Sequence, residues 1–294
     1  MKKSEKIIIE IKNLCKNYGK ARGVTKVDLE VYEGETFGFI GPNGAGKSTT
    51  IRTMLNFLFP TSGEIKIFGL DVITNSSVIK SEIGYVPAEV NYYDHMKVID
   101  LLNFAASFHS DVDKIRIDYL CNKFELDKNR KINELSFGNK KKVSIIQALL
   151  HHPKLLILDE PTNGLDPLMQ KKVFEMLKEE KDMTIFLSSH NLAEVEKHCD
   201  RVAIIKEGKI VDIKDVSKVN KGSIKKVVIT TYKKIKLKLN GISDMSFANN
   251  ELQFRYDGDI NVLLEELSKY NISDIAILPL TLEDSFIEYY GSRG

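Results

Sequence analysis

No stretch of this sequence approaches the roughly 18–20 consecutive apolar residues that a membrane span requires. A soluble chain is therefore expected, and any work at a membrane has to pass through another subunit. The first residues, Met1 to Ile7, lack the apolar centre of a signal peptide. Cysteine is scarce: Cys15, Cys121 and Cys199 are odd in number, far apart and without metal-ligand spacing, which excludes a disulfide framework and points to a reducing, cytoplasmic compartment. Charge of one sign is missing too. Lys plus Arg total 43 against 41 Asp plus Glu, a net +2, too weak a field for gripping nucleic acid. Internal repeats and low-complexity tracts are absent.

What is present is a 294-residue chain, long enough for one large domain and a smaller one. Ile7 to Asn13 and Val24 to Val31 alternate apolar and polar residues in strand fashion. Thr36 to Ile40 is a short buried-type strand, followed by a glycine loop and a helical pattern over Ser48 to Phe59. Glu64 to Phe68 forms another expected strand. A mainly helical stretch, about 90–150, follows. Strands then return at Leu155 to Leu158, Thr184 to Leu187 and Val202 to Ile205, with amphipathic helices between them at Leu168 to Glu180 and Asn191 to His198. Alternation of this kind predicts an α/β core with a mainly parallel sheet, carrying the helical stretch as an inserted subdomain. Residues 1–219 are expected to form this domain. A Lys- and Ser-rich linker near Val216 to Lys226 leads into a small α+β appendage, residues 220–294, with strands at Lys226 to Thr231, Lys234 to Leu239, Glu251 to Tyr256 and Asp274 to Leu278. A helix over Ile260 to Lys269 and a capping box at Thr281 and Asp284 complete it.

Two motifs carry chemistry. Gly41-Pro42-Asn43-Gly44-Ala45-Gly46-Lys47-Ser48-Thr49 fits the phosphate-binding loop G-x-x-x-x-G-K-S and lies between a strand and a helix, as the mechanism demands. Glycines let the backbone wrap a phosphate, the helix N-terminus adds partial positive charge, and Lys47 brings a full one. The Ser48 hydroxyl is placed to ligate Mg2+. Leu155-Leu156-Ile157-Leu158-Asp159-Glu160 is an apolar strand that delivers two acids to the crevice at its C-terminal edge. Asp159 is assigned to Mg2+, and Glu160 is the candidate general base for an attacking water.

With these residues in view, the sequence resembles the nucleotide-binding subunits of the ATP-binding cassette (ABC) transporter family, over residues from about 7 to 215. Leu135-Ser136-Phe137-Gly138-Asn139 stands where that family carries Leu-Ser-Gly-Gly-Gln, Asn163-Gly164-Leu165-Asp166 matches its D-loop, His190 after Ser188-Ser189 its switch histidine, and Tyr18 its adenine-stacking aromatic. The resemblance implies a P-loop NTPase fold of the ABC type and ATP with Mg2+ as cofactors. It implies nucleotide contacts from Tyr18, Gly41, Asn43, Gly44, Ala45, Gly46, Lys47, Ser48 and Thr49, and catalysis by Lys47, Glu160 and His190. It also implies that Ser136 and Gly138 contact the γ-phosphate held by a second ATP-binding subunit, in a homodimer or heterodimer. An integral-membrane permease is the implied further partner, with the chain peripheral on the inner face of the cell membrane. Three positions depart from the pattern: Phe137 for the first signature glycine, Asn139 for the glutamine, and Ala88, after Tyr85-Val86-Pro87, for the Gln that touches Mg2+ and water. Glu89 beside it is a candidate substitute.

The Ala88-Glu89 pair and the closing Leu282 to Phe286 resemble subunits of drug, antibiotic and peptide exporters. The other readings are an importer ATPase, a soluble mechanical ATPase and a non-hydrolysing regulator. The mechanical reading suits a chain with two cassettes or a long coiled coil. Here only about ninety residues, without sustained heptads, separate loop and signature. The regulator reading conflicts with the presence of Glu160. Three further expectations are structural. Lys140-Lys141-Lys142 reads as a solvated helix face, and His151-His152 as a helix-end pair favourable to the dipole. Tyr92 and Tyr93 are contact aromatics, or one of them packs in the core.

Overall fold

The computed structural model describes residues 6–19, 21–93, 95–109, 112–180, 183–216, 224–232, 235, 237 and 239–284, with the main chain alone at 21 and 22. The chain divides into two compact units, residues 1–213 and 214–294.

In the first unit the alternating segments form long strands, β1 (Ile7–Tyr18) and β2 (Ala21–Tyr32), paired antiparallel with Ile9 opposite Val31 and Leu14 opposite Val27. On the other edge of β1 lies β4 (Ser62–Ile67), followed by the short β5 (Leu70–Asp71). These four strands make a separate antiparallel sheet, beside the parallel one that the sequence led us to expect. The reason is their polarity: half-apolar strands suit a sheet with one face on the core and one on solvent. The continuously apolar runs build the second sheet.

That second sheet contains β3 (Thr36–Ile40), β6 (Ile83–Val86), β7 (Leu155–Asp159), β8 (Thr184–Ser189), β9 (Arg201–Lys206) and β10 (Lys209–Asp215), in the order β10-β9-β3-β8-β7-β6. The pairs β3–β8, β3–β9, β6–β7 and β7–β8 are parallel. Every residue of β7 and β8 is buried, as parallel strands covered on both faces require. Phe37, Phe39 and Phe186 fill the space beside them, with ring centroids 5.9 and 5.5 Å apart for the two pairs with Phe186. The register sets Ile40 opposite Ser189 and Asp159 opposite Ser188. The C-terminal ends of β3, β7 and β8 are thereby level, and whatever follows each of them converges on one crevice.

Helix α1 (Lys47–Met54) is shorter than the apolar pattern to Phe59 suggested. Asn56, at φ 52°, turns the chain out of the helix, leaving Phe57 and Phe59 exposed. After α2 (Ser76–Ser81) and β6 come the expected helices, α3 (Val98–Ala106), α4 (Lys114–Lys123) and α5 (Phe137–Leu149). Helix α6 (Pro167–Glu179) starts with Asp166 accepting from the Met169 N–H, and α7 (Leu192–His198) with Asn191 accepting from the Glu194 N–H. Helix α5 packs so closely on β6 that a Cβ on Gly84 would lie 2.3 Å from the Ala148 carbonyl oxygen.

The second unit is a four-stranded antiparallel sheet, β12 (Ile242–Ala248), β13 (Glu251–Tyr256), β11 (Lys225–Thr230) and β14 (Asp274–Pro279) in spatial order, with helix α8 (Ile260–Leu267). Its core is Val227, Ile229, Leu252, Phe254, Tyr256, Leu263 and Leu267. Asn249 and Asn250, both at positive φ, make the tight turn between β12 and β13. The strand expected at Lys234 to Leu239 is not found: residues 235, 237 and 239 belong to no strand, and 234, 236 and 238 lie outside the described residues. Much of the expected linker, 217–223, lies outside them too, as do Ser285 and Phe286 of the closing motif. The capping box is present: Asp284 Oδ2 accepts from the Thr281 N–H, and Thr281 Oγ1 from the Asp284 N–H.

Candidate functional site

The loop between β3 and α1 is shaped by two left-handed glycines, Gly44 at φ 78° and Gly46 at φ 113°. A Cβ at Gly46 would also meet Val24 Cγ1 at 2.7 Å, and one at Gly41 the Ile205 carbonyl at 2.5 Å, so both glycines serve close packing as well. The result is a cavity of about 220 Å³ lined by Pro42, Asn43, Gly44, Gly46, Lys47, Ser48, Thr49 and Glu160. Gly41 and Ala45 are not part of this lining. Ala45 is buried, accepts from the Gly208 N–H and anchors the loop. Lys47, only 5% exposed, donates to the Gly41 carbonyl at 2.7 Å and the Pro42 carbonyl at 3.3 Å. Its ammonium is held over the loop instead of ranging through solvent.

Glu160 closes the far wall. Its backbone is in the left-handed region, φ 49°, and its N–H donates to the Ser188 carbonyl at 3.1 Å. One carboxylate oxygen lies 3.4 Å from Lys47 Nζ, the other 3.3 Å from His190 Nδ1. Behind it Asp159 is 2% exposed, and its Oδ1 accepts from Ser188 Oγ at 2.5 Å, a charge-assisted bond. In the sequence Ser188 stands out only as a flank of His190. In the structure it holds both acids, the one through its hydroxyl and the other through its carbonyl. Ser189 donates to Glu194 at 2.7 Å, and burial raises the carboxyl pKa of Glu194.

Ser136 and Gly138 lie apart from the phosphate cavity. Ser136 is the exposed N-cap of α5, its Oγ accepting from the Asn139 N–H at 3.3 Å. Their neighbours Leu135 and Phe137 line a second cavity, about 640 Å³, whose walls also include Ala88, Glu89, Asn163 and again Glu160. Phe137, half exposed, lies against Gly164: a Cβ there would come within 2.4 Å of the ring. The departure at 137 is thus matched by a glycine in the D-loop segment. Tyr18, 42% exposed at the end of β1, stands away from both cavities with Lys16 Nζ 5.4 Å from its ring centroid.

Two structural expectations fail. Lys141 is not solvated. It is fully buried and donates to the Pro87 carbonyl at 2.7 Å and the Ala88 carbonyl at 3.1 Å. Burial pushes its pKa down to about 8 against the opposing pull of Asp159 and Glu160. Its spacing from Ser144, Ile145 and Ala148 placed it on the buried face of α5, a signal that the run of three lysines masked. His151 is no dipole partner either. Its ring stacks on His109 with centroids 3.9 Å apart, and burial together with His109 lowers its pKa to about 4, so it is neutral at pH 7. Of the two tyrosines, Tyr92 packs, with its hydroxyl 3.2 Å from Gln147 Oε1, and Tyr93 is exposed.

Comparison with known proteins agrees with this geometry. The family model described as ABC transporter matches residues 24–163. The bacitracin transport ATP-binding protein BcrA of Bacillus licheniformis is 39% identical over 210 residues, covering 70% of this chain and 69% of that one. The uncharacterized ABC transporter ATP-binding protein YhcH of Bacillus subtilis is 32% identical over 97% of both chains. A solved ATP-binding subunit of an ABC transporter superposes with a TM-score of 0.67 at 30% identity, over 73% of this chain and 92% of its own. A phosphate loop on a parallel sheet, an acidic strand end beside it and a relative matched along nearly the whole length make this chain a member of the ABC transporter family, one of its ATP-binding, ATP-hydrolysing subunits.

Proposed function

We propose that two ATP-binding subunits, this chain and a second like it, close on two ATP molecules and drive an integral-membrane permease that exports a drug, antibiotic or peptide. Among the described residues no helix is long and apolar enough to cross a membrane. The reading has the chain work from the cytoplasmic side, bound to the permease. An antibiotic cargo is supported by the relative named for bacitracin transport. Residues 1–219 act as the ATP-binding domain and 220–294 as an accessory domain.

The roles follow from the chemistry of each side chain. The loop N–H groups and Lys47 cradle the β- and γ-phosphates, Asn43 and Thr49 border them, and Tyr18 stacks on adenine. Among the described residues no three His, Cys, Asp or Glu side chains gather as a metal cage. Ser48 and Asp159 would hold Mg2+ together with phosphate oxygens, the sparse protein ligation typical of this ion, and when bound it would neutralise charge developing on the phosphates. Glu160 takes the proton of the attacking water, and His190 orients the carboxylate and reaches towards the γ-phosphate. Ser136 and Gly138, at a helix N-terminus, meet the γ-phosphate held by the other subunit. Loss of that phosphate removes the bridge and lets the halves part.

The single observation that carries this reading is the Glu160 carboxylate shared between Lys47 and His190 at the mouth of the phosphate cavity. The test is Glu160→Gln. Hydrolysis should fall about 10²–10⁴-fold with ATP affinity kept, the usual scale for loss of a general base, and ATP-bound dimers should accumulate on gel filtration. Parental turnover in the variant would refute the base assignment. Failure to recover an integral-membrane protein with the tagged chain from detergent-solubilised membranes would refute the transporter assignment.

A further inference from the structure

A bend, residues 87–91, follows β6, and its residues 88–91 line the larger cavity together with Glu160. At its turning point stands Ala88, whose methyl group offers no hydrogen bond. The main chain must then be gripped from outside if this wall is to keep a fixed distance from the catalytic carboxylate. Helix α5 grips the bend and the residue that follows it. Lys141 reaches the Pro87 and Ala88 carbonyls from the first half of the helix, and Gln147 meets the Tyr92 hydroxyl two turns on. The same helix begins at Ser136, whose expected partner is the second subunit's nucleotide.

A buried ammonium that bonds to backbone carbonyls is costly unless its geometry is used. Lys141 is fully inaccessible, and its nearest carboxylates, Asp159 and Glu160, act on it through the field and not through contact. A surface lysine would add helix propensity equally well, so the burial calls for a specific task. We propose that Lys141 is a positioning residue for ATP hydrolysis: it pins the 87–89 main chain to the helix that carries Ser136, so that engagement of Ser136 by the second subunit sets the wall facing Glu160. The ammonium takes over, through the backbone, the positional control that the Ala88 side chain cannot exert.

The inference rests on the ATPase reading, so its test has one arm that needs no turnover. Lys141→Met keeps length and loses charge, Lys141→Gln keeps a donor, and Lys141→Arg keeps the cation. With Mg-ATP and the purified full chain, K141M should lose at least about tenfold in kcat while KM stays within about twofold, because the missing interaction acts beyond ground-state binding. K141R should recover most of the rate and K141Q should fall between. In the nucleotide-free chain, amide hydrogen exchange at residues 88–92 should quicken in K141M and not in K141R, with melting temperatures measured alongside. If K141M does not fold, K141Q against K141R decides. Parental kcat and exchange in K141M, or equal impairment of all three variants, would overturn the proposal. A parent chain without any hydrolysis would count against the ATPase reading, and the exchange arm would still decide the pin.

Discussion

The contact between β6 and α5 can be tested by one methyl group. Gly84 has an ordinary backbone conformation, so alanine there is tolerated by φ and ψ. The new Cβ would lie 2.3 Å from the Ala148 carbonyl oxygen, 2.8 Å from Leu156 Cδ1 and 3.0 Å from Pro153 Cγ. A carbon and a carbonyl oxygen rest at about 3.3 Å, so the overlap is about 1 Å, with a backbone atom of a helix that has no rotamer to escape into. Overpacking of this kind costs about 1–3 kcal/mol. Alanine recovers about 0.4–1 kcal/mol by restricting the unfolded chain. With a backbone oxygen as the obstacle the upper part of that cost applies, so the net loss is about 1–2 kcal/mol, or roughly 2–8 °C in the melting temperature of a unit this large. Thermal unfolding followed by circular dichroism measures it. Moving α5 also moves Ser136 and the Lys141 clasp, so turnover should fall further than ATP affinity. A G84A chain that melts within 1 °C of the parent, with unchanged turnover, would refute the close contact as the constraint on residue 84.

Other outcomes follow from the same geometry. His151 and His198 have pKa values lowered to about 4, the first by burial and His109, the second by burial with Lys178 and Lys197. The unfolded chain takes up protons near pH 6.5 that the native one refuses until about pH 4, so stability should fall as pH drops through that window, by up to one proton per histidine. Denaturant titrations from pH 4.5 to 7.5 measure the slope, and His151→Phe, which keeps the stack on His109, should reduce it. Chelation of divalent ions should abolish hydrolysis while ATP still protects the chain from proteolysis, and Asp159→Asn should raise the Mg2+ concentration needed for half-maximal turnover. Ser188→Ala removes the hydroxyl on Asp159 and should lower turnover by about 1–3 kcal/mol of lost buried hydrogen bonding, measured as kcat at saturating Mg-ATP.

Most of the phosphate site was legible because its signal is local. A strand, a glycine loop, a lysine and a helix occupy consecutive residues, and an apolar strand ending in two acids can put them in few other places. The same holds for α6 and α7, whose caps Asp166 and Asn191 precede their first turns. What stayed hidden depended on partners distant in sequence. Two sheets could not be told from one, because β1, β2 and β4 are separated from the parallel strands only by which face meets solvent. Strand β12 lacks a sequence signature because Ser243, Asp244 and Ser246 interrupt its apolar residues, its register shifts between Ser243 and Ser246, and only Ile242 and Phe247 pack on the core. Lys141 is hidden because three lysines in a row look solvated, although helical periodicity puts the middle one inward. The departure at Phe137 meets a glycine of the D-loop segment, Gly164, and nothing in the sequence connects two positions so far apart.

The left-handed backbone at Glu160 has a bearing on how such a chain can change. A bulky residue held at φ 49° stores strain of about 1–3 kcal/mol, which glycine or asparagine at that position would relieve. Either replacement would remove the carboxylate shared by Lys47 and His190. A search for thermostable variants that did not also demand turnover would therefore drift toward a dead enzyme at residue 160, and a sister subunit freed from hydrolysis would have a stability incentive to lose the same side chain.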